Sequence, residues 1–254
     1  MMSSDQQQVQ KAIKRVDLFG LPVDIGLNSS DVLERIKAGN MRLTYLNPYA
    51  YTIASNNAEY ISNLGSFEII VCDGIGIQAA LKTVFGVSTP ILTLDYCGIG
   101  RDYLQLASEQ GMSLCLVGAD TLTVDKAALR IGSEYPGLAD LKAFSGYGHG
   151  PEKARKYIID NVTDLVLVGM GMGRQESYML HLVDSGWTGA GLCVGGFFTK
   201  LANPDLEYPK WSEKLNLRFL GRLVKEPRRL SRRYFVDYQR FIGLYLKHVF
   251  RIRG

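Results

Sequence analysis

The pattern that most constrains the fold is a regular alternation of short apolar runs with segments of helical spacing. The apolar runs are Met41–Leu46, Glu68–Cys72, Ser113–Val117, Asp164–Met170 and Gly189–Val194. The helical segments are Ser29–Ala38, Pro48–Ser55, Gln78–Phe85, Asp102–Gln110, Leu122–Glu134, Glu152–Asp160 and Arg174–Asp184. Near-continuous apolar runs are typical of parallel strands that are covered on both faces. The order predicts an α/β fold, with a Rossmann-like, mostly parallel sheet sandwiched by helices.

The charges divide the 254-residue chain into two parts. Residues 210–254 have 13 basic and three acidic side chains, a net charge of +10. Residues 1–209 have 16 basic and 22 acidic side chains, a net charge of −6. From Pro209 onward the strand pattern ends and the sequence indicates helix. We predict an α/β domain over residues 1–208 and a basic helical appendage over residues 209–254, directed at phosphate, nucleic acid or a membrane surface.

Cysteine use and hydropathy predict a cytoplasmic protein. No C-x-x-C pair occurs among Cys72, Cys97, Cys115 and Cys193, and three of them lie in apolar runs, which favours structural thiols. The first 15 residues lack the apolar core of a secretory signal. No apolar stretch reaches the ~18–20 residues that span a bilayer.

Ligands of parallel sheets bind at the carboxyl ends of the strands, and here those ends are rich in glycine. Asp73 follows a predicted strand directly and begins a D-G-x-G turn, so its carboxylate should lie at the rim of the crevice. An Asx-type bond within its own turn explains the residue equally well. The chain has no Walker A sequence, dinucleotide G-x-G-x-x-G, H-E-x-x-H or G-x-S-x-G, and His149, His181 and His248 are scattered.

A family resemblance covers nearly the whole chain and is carried by six segments in a fixed order. With the family pattern that each resembles in parentheses, they are Val16–Asp24, Thr44–Pro48 (T-x-N-P), Asp73–Gly76 (D-G-x-G), Gly169–Glu176 (G-x-G-x-P-K-Q-E), Gly195–Phe198 (G-G-x-F) and Arg222–Tyr234 (R-L-x-x-E-P-x-R-x-x-R-R-Y). Gly173 and Arg174 stand where the family has proline and lysine. In this order they resemble the WecG/TagA/CpsF family of glycosyltransferases, glycosyltransferase family 26.

The resemblance implies an inverting hexosyltransferase of cell-surface or exopolysaccharide biosynthesis. It would move a sugar from a UDP-sugar donor to a polyprenyl-diphosphate-linked glycan acceptor, at the inner face of the cell membrane. Asp73 is then the candidate general base, while Thr44, Asn47 and Gln175 orient substrate hydroxyls. The candidate substrate-binding residues of the body are Gly74, Gly76, Gly118, Gly171, Glu176, Gly195 and Gly196. A cap on its own helix explains Glu176 equally well.

The basic tail suggests how the charge of a nucleoside diphosphate is stabilised without a cofactor. Many sugar-nucleotide enzymes hold a metal with a D-x-D motif, and this chain has none. Arginines and helix N-termini can replace the metal, so we predict metal-independent catalysis. The arginines that match the family are Arg222, Arg229, Arg232 and Arg233. They could equally contact lipid headgroups.

The end of the tail has the pattern of a helix that lies in a membrane surface. On a helix over residues 228–252, Tyr238, Phe241, Ile242 and Tyr245 share one arc, and most basic side chains lie opposite. Such a helix could also pack on the body and leave its basic face solvated. We predict an anionic membrane surface as a partner and no nucleic acid, and a homo-oligomer is left open.

Two further alternatives remain open at this point. The chain could be another α/β nucleotide-binding enzyme, or a basic-tailed nucleic-acid or membrane-binding protein without catalysis. The broken dinucleotide motif argues against a reductase, and the acidic body offers a nucleic acid no continuing groove. Departures from the family pattern, such as Thr199 after Phe198, leave the donor open among N-acetylmannosamine, a plain hexose and a uronic acid.

Overall fold

The computed structural model describes residues 13–96, 98–203 and 233–252. Its strands are β1 (Lys14–Leu18), β2 (Leu21–Ile25), β3 (Met41–Leu46), β4 (Ile69–Cys72), β5 (Ser113–Gly118), β6 (Asp140–Phe144), β7 (Leu165–Gly169) and β8 (Ala190–Cys193). Strands β3 to β8 form one parallel sheet in the spatial order β4–β3–β8–β7–β5–β6. This arrangement confirms the predicted α/β fold.

Helices cover both faces of the sheet. They are α1 (Ser29–Ala38), α2 (Pro48–Ala54), α3 (Ala58–Gly65), α4 (Ile75–Phe85), α5 (Gly100–Glu109), α6 (Thr121–Glu134), α7 (Gly150–Asp160), α8 (Arg174–Asp184) and α9 (Phe197–Ala202). A π-helical turn (Arg233–Asp237) and α10 (Gln239–Ile252) follow later in the chain. Across the described residues, no helix is long and apolar enough to cross a membrane.

The central strands are apolar on both sides because each side faces a helical layer. Every residue of β4, β7 and β8 is buried. Along β7, Leu165 and Leu167 join one hydrophobic cluster, and Val166 and Val168 join the cluster on the opposite face. Alternating side chains therefore contribute to two cores, which explains the near-continuous apolar runs in the sequence.

Elements missing from the sequence prediction have weak apolar patterns. The sheet ends at β6, an edge strand in which no residue is fully buried, so its sequence lacks a continuous apolar run. Helix α3 buries only Tyr60 and Leu64 and depends on the side chain of Asn57 for its N-terminal cap. Helix α9 has six residues, too few for a recognisable helical period.

The antiparallel pair β1–β2, also absent from the prediction, is attached to β4 by a buried carboxylate. Asp24 is 1% exposed and accepts two hydrogen bonds from the Arg15 guanidinium, at 2.8 and 2.9 Å. It also accepts from the amide nitrogen of Ile70 at 2.7 Å. This charge is compensated by bidentate pairing, as a buried carboxylate requires.

The C-terminal helix packs against the α/β body. Phe241 of α10 is 5% exposed, and its ring centroid lies 5.2 Å from that of Tyr51 on α2. The Tyr245 and Thr83 hydroxyls, from α10 and α4, are 3.0 Å apart. Of the predicted helix over 228–252, the described part consists of the π-helical turn and α10, with only Tyr238 between them. The predicted domain boundary at 208/209 lies outside the described residues.

Candidate active site

The predicted site segments meet at the carboxyl edge of the sheet. Across this edge, Asp73 follows β4, Asn47 follows β3, Gly195 follows β8, the turn 170–173 follows β7, and Gly118 ends β5. The sheet order therefore brings together segments that are far apart in the chain. This edge is where open parallel sheets bind their ligands.

Asp73 occupies a half-buried position at one end of this edge. Its amide nitrogen donates to the Leu46 carbonyl at 2.9 Å, which extends the pairing of β3 with β4. Its Oδ1 accepts a hydrogen bond from the Thr93 hydroxyl at 3.1 Å. Gly74 follows with a φ of 97°, and this left-handed conformation turns the chain directly into α4. The carboxylate is thus held by Thr93 and still reaches the surface.

Hydrogen bonds and an ion pair hold the segment that carries Thr93 in place. The Leu92 amide donates to the Cys72 carbonyl at 2.9 Å, and the Tyr103 hydroxyl donates to the Leu94 carbonyl at 3.1 Å. Asp95 forms an ion pair with Lys200 of α9, and both side chains are largely buried. Thr93 was not predicted from the sequence, because only the path of this loop brings its hydroxyl to Asp73.

A second carboxylate, Glu176, lies below the centre of the edge. It is 0% exposed, and its Oε1 accepts from the Thr44 hydroxyl and from the Gln175 carboxamide, each at 2.8 Å. Its Oε2 accepts from the Gly173 amide at 2.6 Å, so Glu176 does cap α8. Burial raises the pKa of Glu176, and these hydrogen bonds oppose the rise.

The side chains of Thr44 and Gln175 connect neighbouring elements of the sheet edge through hydrogen bonds. Both side chains are 0% exposed. The Gln175 carboxamide oxygen accepts from the Gly195 amide at 3.1 Å, so the network of Thr44, Gln175 and Glu176 links β3, α8 and the turn after β8. Asn47 caps α2 by accepting from the Tyr49 amide at 3.0 Å and is 6% exposed. Their predicted roles with substrate stay predictions.

The predicted glycines fall into two groups. At Gly118 a Cβ would lie 2.4 Å from the Gly169 carbonyl oxygen, so close packing requires glycine there. At Gly195 a Cβ would lie 2.4 Å from the Tyr45 hydroxyl, and its φ of 57° also favours glycine. Gly76 packs against Pro48 and Phe241. In the second group, Gly74, Gly171 and Gly196, a Cβ would meet no described residue within 4 Å, which leaves their backbone open to a ligand on that side.

Part of the predicted site lies outside the described residues. This holds for Arg222, Arg229 and Arg232, while Arg233 begins the π-helical turn. Across the described part of the chain, no group of three or more His, Cys, Asp or Glu is placed to hold a metal ion.

The described cysteines are structural, as predicted. Cys72, Cys115 and Cys193 are buried free thiols, and burial raises the pKa of Cys72 to about 12. A thiol with such a pKa stays protonated and unreactive at neutral pH. Cys97 lies outside the described residues.

These features together define an α/β enzyme whose crevice lies at the carboxyl ends of parallel strands. The sequence model of the glycosyl transferase WecG/TagA/CpsF family matches residues 16–254 of this chain. The chain belongs to this family and is a hexosyltransferase.

Named relatives agree with this assignment. A Shigella boydii protein named UDP-Gal:alpha-D-GlcNAc-diphosphoundecaprenol beta-1,4-galactosyltransferase is 29% identical over 205 residues, which cover 79% of this chain and 83% of the relative. A Bacillus subtilis (strain 168) protein named N-acetylglucosaminyldiphosphoundecaprenol N-acetyl-beta-D-mannosaminyltransferase is 25% identical, with 75% and 73% covered. A Staphylococcus aureus (strain MW2) protein with the same name is 24% identical, with 86% and 87% covered.

Proposed function

We propose that this hexosyltransferase transfers a sugar from a UDP-sugar to a sugar linked to a polyprenyl diphosphate, with inversion at the anomeric carbon. The observation that carries the proposal is the position of Asp73, a half-buried carboxylate at the carboxyl edge of the sheet, directly before the open glycine of its own turn, Gly74. The names of the relatives support it, because they include a galactosyltransferase and N-acetylmannosaminyltransferases of undecaprenyl-diphosphate-linked acceptors.

Asp73 serves as the general base in the proposed reaction. The acceptor hydroxyl oxygen attacks the anomeric carbon of the donor, and its proton passes to the Asp73 carboxylate. The bond from that carbon to the diphosphate breaks, UDP leaves with the electron pair, and the anomeric configuration inverts. Thr93 donates to Oδ1 and keeps the carboxylate in one orientation. A positioned base of this kind typically contributes about 10²–10⁴-fold in rate.

The charge of the leaving diphosphate is stabilised without a metal in this proposal. Helix α4 begins at Ile75, beside Asp73, and has no side-chain cap, so its first amides are available to phosphate oxygens. The tail arginines Arg222, Arg229, Arg232 and Arg233 supply further donors to the same group. In the same proposal, some of these arginines contact the diphosphate and others contact lipid headgroups.

Peripheral attachment to an anionic membrane surface accompanies this function. One stripe of α10 stays exposed although the helix packs on the body: Ile242 is 46%, Leu246 is 44% and Phe250 is 67% exposed. Arg240 and Lys247 of the same helix are exposed and carry positive charge. An exposed apolar stripe beside basic side chains is typical of a helix that lies in a membrane interface.

A donor panel tests the proposed reaction. Purified protein is incubated with N-acetylglucosaminyl-diphospholipid and with UDP-galactose, UDP-N-acetylmannosamine, UDP-glucose or UDP-glucuronic acid, with and without EDTA. We expect one donor to give a product of inverted configuration, with a rate unchanged by EDTA. A rate abolished by EDTA and restored by a divalent cation contradicts metal independence, and retained configuration contradicts the role of Asp73.

A vesicle assay tests the proposed attachment. Sedimentation with anionic phospholipid vesicles is compared for the wild type, Leu246→Asp and Leu129→Asp, which is the matched control because Leu129 is 74% exposed on α6. We expect Leu246→Asp to weaken binding about tenfold, because a charge replaces an exposed apolar side chain that would enter the membrane interface. Equal loss in the control contradicts a specific role of α10.

A further inference from the structure

A buried ion pair lies beside the loop that carries Thr93, and the proposed reaction gives it no role. Asp95 and Lys200 of α9 form this pair, and their side chains are 7% and 11% exposed. Moving two charged groups out of water is costly, and an apolar pair of similar size is often at least as stable. Stability is therefore a weak explanation for the pair, and its position indicates another one.

The backbone around Asp95 connects the ion pair to Asp73 over a short path. Thr93 lies two residues before Asp95, and its hydroxyl donates to Asp73 Oδ1 at 3.1 Å. The Thr93 carbonyl accepts from the Ile99 amide at 3.0 Å, and the Asp95 carbonyl accepts from the Gly100 amide at 2.9 Å. Both residues are thus joined to the start of α5, so the positions of Thr93 and Asp95 are coupled.

The other partner, Lys200, belongs to a helix that is firmly packed. Helix α9 begins directly after the glycine turn that follows β8, near the centre of the sheet edge. Phe197, Phe198 and Leu201 of this helix are each at most 2% exposed. Because the core fixes α9, Lys200 offers Asp95 a partner whose position does not depend on the loop.

We propose that Lys200 is a positioning residue for the base Asp73, an inference that rests on the proposed function. The Lys200 ammonium group holds Asp95, the coupled backbone holds Thr93, and the Thr93 hydroxyl orients the Asp73 carboxylate. Neither member of the ion pair lies in the segments that carry the family resemblance, so the role follows from their contacts alone.

The double variant Asp95→Leu with Lys200→Met, called here the pair variant, separates positioning from charge burial. Loss of Lys200 alone would leave a buried carboxylate without this counter-charge, whereas the pair variant replaces both charges with apolar side chains and should stay folded. We expect kcat to fall about three- to tenfold, as for the loss of one hydrogen bond, with KM nearly constant. Wild-type kcat in the folded pair variant overturns the proposal.

A cycle with Thr93→Val tests whether the pair acts through the Thr93 hydroxyl. The pair variant, Thr93→Val and their combination are compared with the wild type. If the pair acts only through that hydroxyl, the combination loses no more rate than Thr93→Val alone. Losses that multiply overturn the proposal. Lys156→Met with Asp160→Leu is the matched control, because it removes the same two charges from an exposed pair on α7 and should keep wild-type kcat.

Titration of the Asp73 carboxyl group makes the test independent of transfer. The carboxyl carbons of the full chain, labelled with ¹³C at aspartate, are followed by NMR against pH, and Asp73→Asn identifies the Asp73 signal. Loss of the hydrogen bond from Thr93 disfavours the charged carboxylate, so the midpoint should move to higher pH by the same amount in the pair variant and in Thr93→Val.

The titration also distinguishes failure of this proposal from failure of the proposed function. An unchanged midpoint in the pair variant overturns the role of Lys200 and leaves Asp73 as the proposed base. Wild-type turnover of Asp73→Asn contradicts the base, and the midpoint still decides whether Lys200 positions that carboxylate. If the pair variant does not fold, Asp95→Asn takes its place, because it keeps the size of the side chain and weakens the bond to Lys200. The same shift, in smaller amount, is then expected, and its absence overturns the proposal.

Discussion

Two carboxylates lie at the same edge of the sheet, and they differ in burial and in the number of hydrogen bonds that they accept. Asp73 is half-buried and accepts a hydrogen bond from Thr93 on a tethered loop. Glu176 is fully buried and accepts from Thr44, Gln175 and the Gly173 amide. One carboxylate can meet a substrate, and the other holds strands and a helix together.

The comparison shows how the environment of a carboxyl group determines its use. A general base must be reachable and must exchange its proton during the reaction. A structural carboxylate must instead satisfy buried donors, and its own desolvation has to be offset by them. Changes at Asp73 should therefore alter the rate with little effect on stability, and changes at Glu176 should do the reverse.

Asp73→Asn should produce the largest effect. Replacing the proposed base with a carboxamide of equal size should lower kcat about 10²–10⁴-fold. The melting temperature should stay within about 2 °C of the wild type, because the carboxamide has the same size and its oxygen can still accept from the Thr93 hydroxyl. Transfer assays and thermal unfolding measure the two quantities. A variant with wild-type turnover would show that Asp73 is not the base.

Glu176→Gln should mainly reduce stability. A carboxamide cannot accept at both oxygen positions, so its NH₂ faces one of the existing donors and leaves it unsatisfied. We expect a loss of about 1–3 kcal/mol in the free energy of unfolding, measured by urea denaturation. Glu34→Gln on the exposed face of α1 removes the same charge and is the control for the change of charge alone. Unchanged stability with a large loss of kcat would contradict the structural role.

Thr93→Val should give an intermediate effect on the rate alone. Loss of the hydroxyl that donates to Asp73 should lower kcat about three- to tenfold and move the acid limb of the pH–rate profile to higher pH. Thr89→Val is the matched control in the same loop, because the Thr89 hydroxyl is buried and has no partner among the described residues. An acid limb that moves equally in both variants would assign the effect to the loop instead of the hydrogen bond.

The smallest expected effect is on the pH dependence of the free energy of unfolding, to which the buried Glu176 should contribute. Burial raises the pKa of Glu176 in the folded state, so the folded protein binds this proton more tightly than the unfolded chain. The stability that protonation provides is complete below the unfolded pKa of about 4.5 and is lost as pH rises through the raised value. The stability of the wild type should therefore fall with pH relative to Glu176→Gln. A difference that is constant between pH 4 and 8 would contradict this sign.

The order of the central elements could be predicted because each buried strand and each amphipathic helix has its own periodicity. Asp73 could be placed at the rim because it directly follows the apolar run of β4. The contact between Thr93 and Asp73 could not be predicted, since an irregular loop sets it over a separation of 20 residues. The burial of Thr44 and Gln175 was missed for a similar reason, because it depends on how β3 lies relative to α8.

The contact between Gly76 and α10 has a mechanical consequence for the proposed membrane attachment. A Cβ at Gly76 would lie 3.4 Å from the ring of Phe241, so the turn after Asp73 and the C-terminal helix are in direct contact. A helix is about 10 Å wide with its side chains. A bilayer that receives the exposed stripe of α10 would then lie roughly one helix diameter from the D-G-x-G turn. The width of α10 would then set the distance between Asp73 and the lipid headgroups. That distance would determine which sugar of a lipid-linked acceptor can reach Asp73.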